Sequence, residues 1–267
     1  MFKIQPRDRK YDAHRPKPCT VLTIAVDQWP GNEFGLWLPE VIDLNGAAPF
    51  ANWRGDAHQE WTRDADGTWR WVHQSPSLTF QSTLTTDAAN ACLWYRHAFT
   101  NRSEAPLTNL NTATCFHLVN APQFISIHAE RIWACLDGRW ATTDRVPRHE
   151  SPDPRRVAFL RAGLRKERTV VPNKGFPSAL MAEAAHHPLL IAEAFGGKAS
   201  IGIAARNFER LFNNNDCILR CLHSEPMPIQ SLDPGKTAAQ EGAILFARGD
   251  HVALLEQFDR ATKERWA

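Results

Sequence analysis

The run SLTFQSTLTTD, residues 77–87, opens the part of the chain whose reading decides the fold. ACLWYRHAFTNRS (91–103), LTNLNTATCFHLVN (107–120) and FISIHAERIWACLDG (124–138) follow it. All four are rich in β-branched and aromatic residues, and apolar and polar positions alternate along them. Asp87–Asn90, Asn101–Pro106 and Asp137-Gly138 supply turns between them. Strands at this spacing predict an antiparallel meander.

Outward from this block the pattern continues. TVLTIAV (20–26) and GLWLPEVIDLNG (35–46) are apolar runs, the second ended by an Asn-Gly turn. HQEWTR and WRWVHQ flank the Asp66-Gly67 turn as paired strands. HHPLLIAEAFGG, ASIGIAAR, CILRCLH and GAILFARG return to strand patterning after residue 186. Residues 250–266 predict a C-terminal helix, with Asp250 as N-cap and Val252, Leu255, Phe258 and Thr262 on its apolar face, Leu254 and Ala261 beside it. Residues 1–20 read as an irregular, charged and Pro-rich arm. Residues 21–267 read as one domain with no linker. The fold class is therefore all-β: a large antiparallel β-sandwich with one C-terminal α-helix.

Composition bounds the function. The chain has 267 residues, 43% of them hydrophobic and 22% charged, enough for a sizeable core. A net charge of +2 and the absence of a zinc-finger or RNA-binding signature argue against a nucleic-acid partner. No run is long and apolar enough to span a membrane, and the N-terminus lacks the apolar stretch of a secretion signal, which predicts a soluble, cytoplasmic protein. Six cysteines in a chain of this length read as reduced thiols, with no disulfide framework. Oligomeric state has no marker in the sequence.

Charge is asymmetric in one place. Residues 145–175 hold nine basic residues against three acidic ones, with four prolines. Val157, Leu160 and Leu164 suggest a short helix inside this excursion. It reads either as a solvated loop or as a lid, in which Arg155, Arg156 and Arg165 would grip an acid group on a ligand.

Two Cys-x-His pairs stand out: Cys115/His117 and Cys221/His223. Positions i and i+2 of a strand share a face, so each pair projects together. His117 and His223 are candidates for acid/base chemistry, with Glu225 at a strand rim before Pro226 as their carboxylate partner. Were the two strands neighbours, Cys115, His117, Cys221 and His223 would converge as a tetrahedral zinc set. The alternative is that the cysteines are packing residues and that no cofactor is bound. Ten tryptophans against two tyrosines suit sugar stacking as well as core filling. Trp53 and Trp61, in NWRGDAHQEW, are the candidate platform. Asn215, in the NNND turn, is a candidate hydroxyl contact.

The stretch WYRHAFTNRSEAPLTNLNTATCFHL (94–118) resembles part of the galactose mutarotase-like, or aldose 1-epimerase-like, superfamily. There a strand runs to Thr-Asn, a short turn follows, and the next strand reads Asn-Leu-Thr-Asn-His-Ser-Tyr-Phe-Asn-Leu. The resemblance implies a twisted supersandwich that binds a carbohydrate on its concave sheet, with His and Glu as acid and base. Phe116 and Leu118 align with the motif's Phe and Leu. Ala113 then takes the place of the family's His, and His117 that of its last Asn. The resemblance thus implies the fold and a sugar ligand, with epimerase, lyase and hydrolase chemistry all open. The alternative is a non-catalytic carbohydrate-binding or scaffolding protein of the same fold.

Overall fold

A computed structural model describes residues 1–9, 19–52, 58–145, 156–164, 179–215 and 220–267. Among these the chain runs β1 (Phe2–Arg9), β2 (Cys19–Val26), β3 (Glu33–Leu44), β4 (Ala47–Ala51), β5 (Thr62–Arg63), β6 (Trp69–Gln74) and β7 (Leu78–Asp87). It continues with β8 (Cys92–Asn101), β9 (Leu107–Asn120), β10 (Ile132–Leu136), β11 (Arg139–Thr142), β12 (Arg156–Leu160) and β13 (Ala179–Leu180). The last elements are β14 (Leu189–Glu193), β15 (Ala199–Ala205), β16 (Phe208–Asn215), β17 (Arg220–Pro226), β18 (Ile229–Leu232), β19 (Thr237–Arg248) and α1 (His251–Arg265).

The strands form two sheets. The first has the order β1-β2-β3-β9-β17-β16-β12-β13, with β4 on β3 and β18 on β9. The second has the order β11-β10-β14-β15-β19-β8-β7-β6-β5. Period-two patterning builds the core between them: Leu78, Phe80 and Leu84 point inward from β7, and Phe116 and Leu118 from β9. Phe246 of β19 is a hub, its ring 5.1–6.0 Å from those of Phe2, Trp29, Phe34 and Phe116.

The four-run meander is corrected in part. β7 and β8 form an antiparallel hairpin as expected. β9, however, leaves for the other sheet, between β3 and β17, and β10 pairs with β14. The buried Asn101 clamps this crossing. Its Nδ2 donates to the Ala105 and Leu232 carbonyls at 2.8 Å, and its Oδ1 accepts from the Ser103 amide and hydroxyl. Alternation predicts strands but says nothing about which sheet a strand joins.

Three further readings change. Residues 2–9 are an edge strand, not an irregular arm: Phe2 and Ile4 pack on the core, and an edge tolerates Pro6. Val157 and Leu160 lie in β12, not in a helix. Val157 and Phe159 alternate into the core, and pairing with β16 overrides the 3.6-residue spacing. The rest of the basic excursion, residues 146–155 and 165–175, lies outside the described residues. α1 forms as predicted, with Asp250 accepting from the Val252 and Ala253 amides at 3.1 and 3.2 Å. Its buried face is rotated, centred on Leu254, Phe258 and Ala261, and Val252 is exposed. That face covers Trp94, Leu189, Ile191 and Leu245 on the outer side of the second sheet. No helix is long and apolar enough to cross a membrane, among the described residues.

Candidate functional site

With one outer face covered by α1, the outer face of the first sheet is where the Cys-x-His pairs emerge. β9 and β17 are antiparallel neighbours, with Cys221 opposite His117 and Leu222 opposite Phe116. Phe116 and Leu222 point into the core. By alternation, Cys115, His117, Cys221 and His223 share the other face. Cys115 and Cys221 pack there with Cys19, Val21 and Trp37 in a small cluster separate from the main core.

The sequence thus placed each pair on one face of its own strand, and the structure brings the two strands together. It does not leave them open to solvent. His117 is 2% exposed and His223 3%. As acid/base candidates the two histidines are thus neighbours, but both are closed off from solvent.

β3 flanks the site and shapes it. Gly35 lies opposite His117, where a Cβ would come 3.2 Å from that of His117 and 3.1 Å from Val21. The His117 ring meets Trp37 edge-on at 4.3 Å between centroids. The register then slips: Trp37 pairs with Cys115, but the next pair is Val41 with Ala113. Three residues of β3 thus face one of β9, and the bulge holds the cis Leu38-Pro39 peptide. Bulges re-aim side chains beside functional sites. Here Glu40 comes to within 3.4 Å of His223 Nδ1. The other ring nitrogen, Nε2, faces Cys221 Sγ at 3.2 Å.

Glu225 is not at a rim. It lies inside β17, buried, and Arg210 of β16 donates to its Oε2 from Nε at 2.8 Å and from the adjacent NH2 group. The carboxylate beside Arg210 raises the guanidinium further above its ordinary value. Burial holds His223 well below the ordinary histidine value, with His117 and Arg210 adding to the effect. A neutral His223 presents one ring nitrogen as an acceptor and the other as a donor.

Cys115, Cys221 and His223 form one close group, in which every pair of ligand atoms lies within 4.8 Å. His117 is on the same face but outside that group. Asn213 and Asn214 are buried in β16, not in an exposed turn, because that strand runs on to Asn215 and pairs Asn215 with Arg220. Arg156 opens β12 opposite Asn214. Trp61 is 8% exposed and packs in the main core against Trp71, so it offers no open platform. Trp53, Arg155 and Arg165 lie outside the described residues.

Reading from sequence missed Glu40, Trp37 and Arg210. Pro39 inside an apolar run was a signal for a bulge, and so for Glu40. Nothing local marks Arg210, whose role rests on its register against Glu225.

No family model matches this chain, and no curated protein matches it. Among solved structures it is similar to a galactose mutarotase related enzyme from Lactobacillus acidophilus, at 10% identity and a TM-score of 0.45 over 93% of this chain and 99% of that one. An aldose epimerase homologue from C. elegans is similar at 10% identity and a TM-score of 0.45, over 94% and 100% of the two chains. A polysaccharide lyase is similar at 14% identity and a TM-score of 0.47, over 96% of this chain and 34% of that one.

Proposed function

We propose that this protein binds a carbohydrate at the outer face of its first sheet and acts on it by proton transfer. The supporting observation is the placement there of two histidines and two carboxylates, on the face that the inter-sheet core does not use. The sugar class rests on the likeness of residues 94–118 to the galactose mutarotase-like superfamily. In this reading His117 and His223 are the proton-transfer groups. Glu40 orients His223, and Glu225, held by Arg210, fixes negative charge beside them. Arg155, Arg156 and Arg165 are the proposed contacts to an acid group on the sugar, and Trp53 and Asn215 further contacts.

The burial of both histidines favours a second reading, in which the protein binds a sugar without turning it over. One experiment separates the two. Thermal unfolding is followed with neutral sugars, uronic acids and sulfated oligosaccharides, and the mixtures are then assayed for altered sugar. At ligand concentrations near 100 times Kd, binding should raise the melting temperature by roughly 5–10 °C. A rise confined to acidic sugars supports the arginine contacts. Altered sugar that disappears in His117→Ala, with the thermal shift retained, supports catalysis. A shift without turnover supports the second reading. No shift with any sugar at saturating concentration ends both.

A further inference from the structure

From the grouping of Cys115, Cys221 and His223 on adjacent strands, we infer that this protein binds one zinc-like divalent metal ion through two thiolates and an imidazole. The site does not require the carbohydrate reading; where it is filled, His223 is a ligand and proton transfer falls to His117 alone.

Three features of the geometry carry it. First, the donors are a soft set on a rigid frame. Cys115 and Cys221 are thiols in central strands, and the alternation that buries Phe116 and Leu222 turns both to the outer face. Two thiolates and an imidazole select zinc-like ions over magnesium or calcium, which prefer oxygen. Second, the spacing fits. Ordinary Zn–S and Zn–N bonds in a tetrahedron put sulfur and nitrogen ~3.6 Å apart. His223 Nε2 lies 3.2 Å from Cys221 Sγ, and all three donor atoms lie within 4.8 Å of one another. Two zinc-bound sulfurs sit ~3.8 Å apart, so loading an ion closes the remaining donor distances by at most about 1 Å. Third, a carboxylate stands behind the ring, at ion-pair distance though without hydrogen-bond geometry. Nε2 faces the thiols while Nδ1 faces the Glu40 carboxylate at 3.4 Å. A carboxylate on the far nitrogen is the usual support of a metal-bound histidine, fixing its tautomer and orientation. The β3 bulge that delivers Glu40 therefore has a purpose in this site.

His117 stands opposite Cys221 and is the candidate fourth donor on that face. Its position outside the close group leaves three protein ligands. That is the number found in zinc sites that keep a place for water or a substrate oxygen.

The full chain, stripped with a chelator, would be titrated with zinc while bound metal is counted by elemental analysis. Cobalt(II) would then be substituted and its absorption recorded. Expected are one ion per chain, a rise in melting temperature on loading, and the thiolate-to-cobalt charge-transfer band with the strong visible bands of a tetrahedral ion. Cys115→Ser, Cys221→Ser and His223→Ala should each lose the ion, and Cys135→Ser should keep it. Glu40→Gln should keep the bands but weaken affinity ~10–100-fold. Should the cysteine variants fail to fold, the wild-type titration decides alone. Substoichiometric metal with no thiolate band overturns the inference. So does a band that survives in the Cys115→Ser/Cys221→Ser double variant.

Discussion

His97 is fully buried between the sheets. Its Nδ1 lies 3.1 Å from Ser82 Oγ on β7, and its Nε2 lies 3.0 Å from Thr114 Oγ1 on β9. Burial pushes its pKa down to about 3, from an ordinary 6.5. The unfolded chain therefore takes up a proton below pH 6.5 that the folded chain refuses. His97 supports folding fully above pH 6.5, and that support fades as the pH falls toward 3. Between pH 7 and pH 5 this one group should cost about 2 kcal/mol. Urea midpoints at the two pH values should converge in His97→Asn relative to wild type. An unchanged difference would place the acid sensitivity elsewhere. Asn101 is a second single residue with wide effect, because four hydrogen bonds at the crossing between sheets converge on it. Asn101→Ala should destabilise by about 3 kcal/mol, since it leaves buried donors and acceptors unmet. A loss under about 1 kcal/mol in denaturant titration would show that water replaces the amide.

Among the elements, α1 was legible because its signals are local. Asp250 caps it, and an apolar stripe recurs at helical spacing. Asp250→Ala should cost about 1 kcal/mol, read as a lower urea midpoint with unchanged slope. An unchanged midpoint would mean that packing alone holds the first turn. The side that faces inward was legible at Phe258 and Thr262, but not its centre. Leu254 and Ala261 join Phe258 at the centre, in place of Val252 and Leu255, because the second sheet offers them Leu189, Ile191 and Leu245. The β3 bulge shows the same limit from the other side. Pro39 announces an irregularity, but aiming Glu40 at His223 takes the pairing of β3 with β9 and of β9 with β17.

Across the whole molecule, the two sheets share an aromatic packing centre, and Ala185 links them through backbone as well, bridged to Leu136 and to Arg161. Phe246 comes from the second sheet, while Phe2, Phe34 and Phe116 come from the first. Phe246→Ala should cost 3–5 kcal/mol and lower the urea midpoint without changing its slope, because both sheets lose the same packing centre. A broadened or biphasic transition would show that the sheets unfold separately.

The sequence by itself determined most of the strands, though not β1 or β12, the turns at Asn45-Gly46 and Asp137-Gly138, the helix with its cap, and the common face of each Cys-x-His pair. All of these follow from periodicities and turn chemistry that act over a few residues. Only the tertiary structure decided that β9 crosses between sheets and that Cys115, Cys221 and His223 meet. It alone placed Glu40 behind His223, locked Glu225 to Arg210 and sank Trp61 into the core. Those facts depend on which strands pair and in what register. Pairing is set by burial summed over residues far apart in the chain, and no local stretch carries that information.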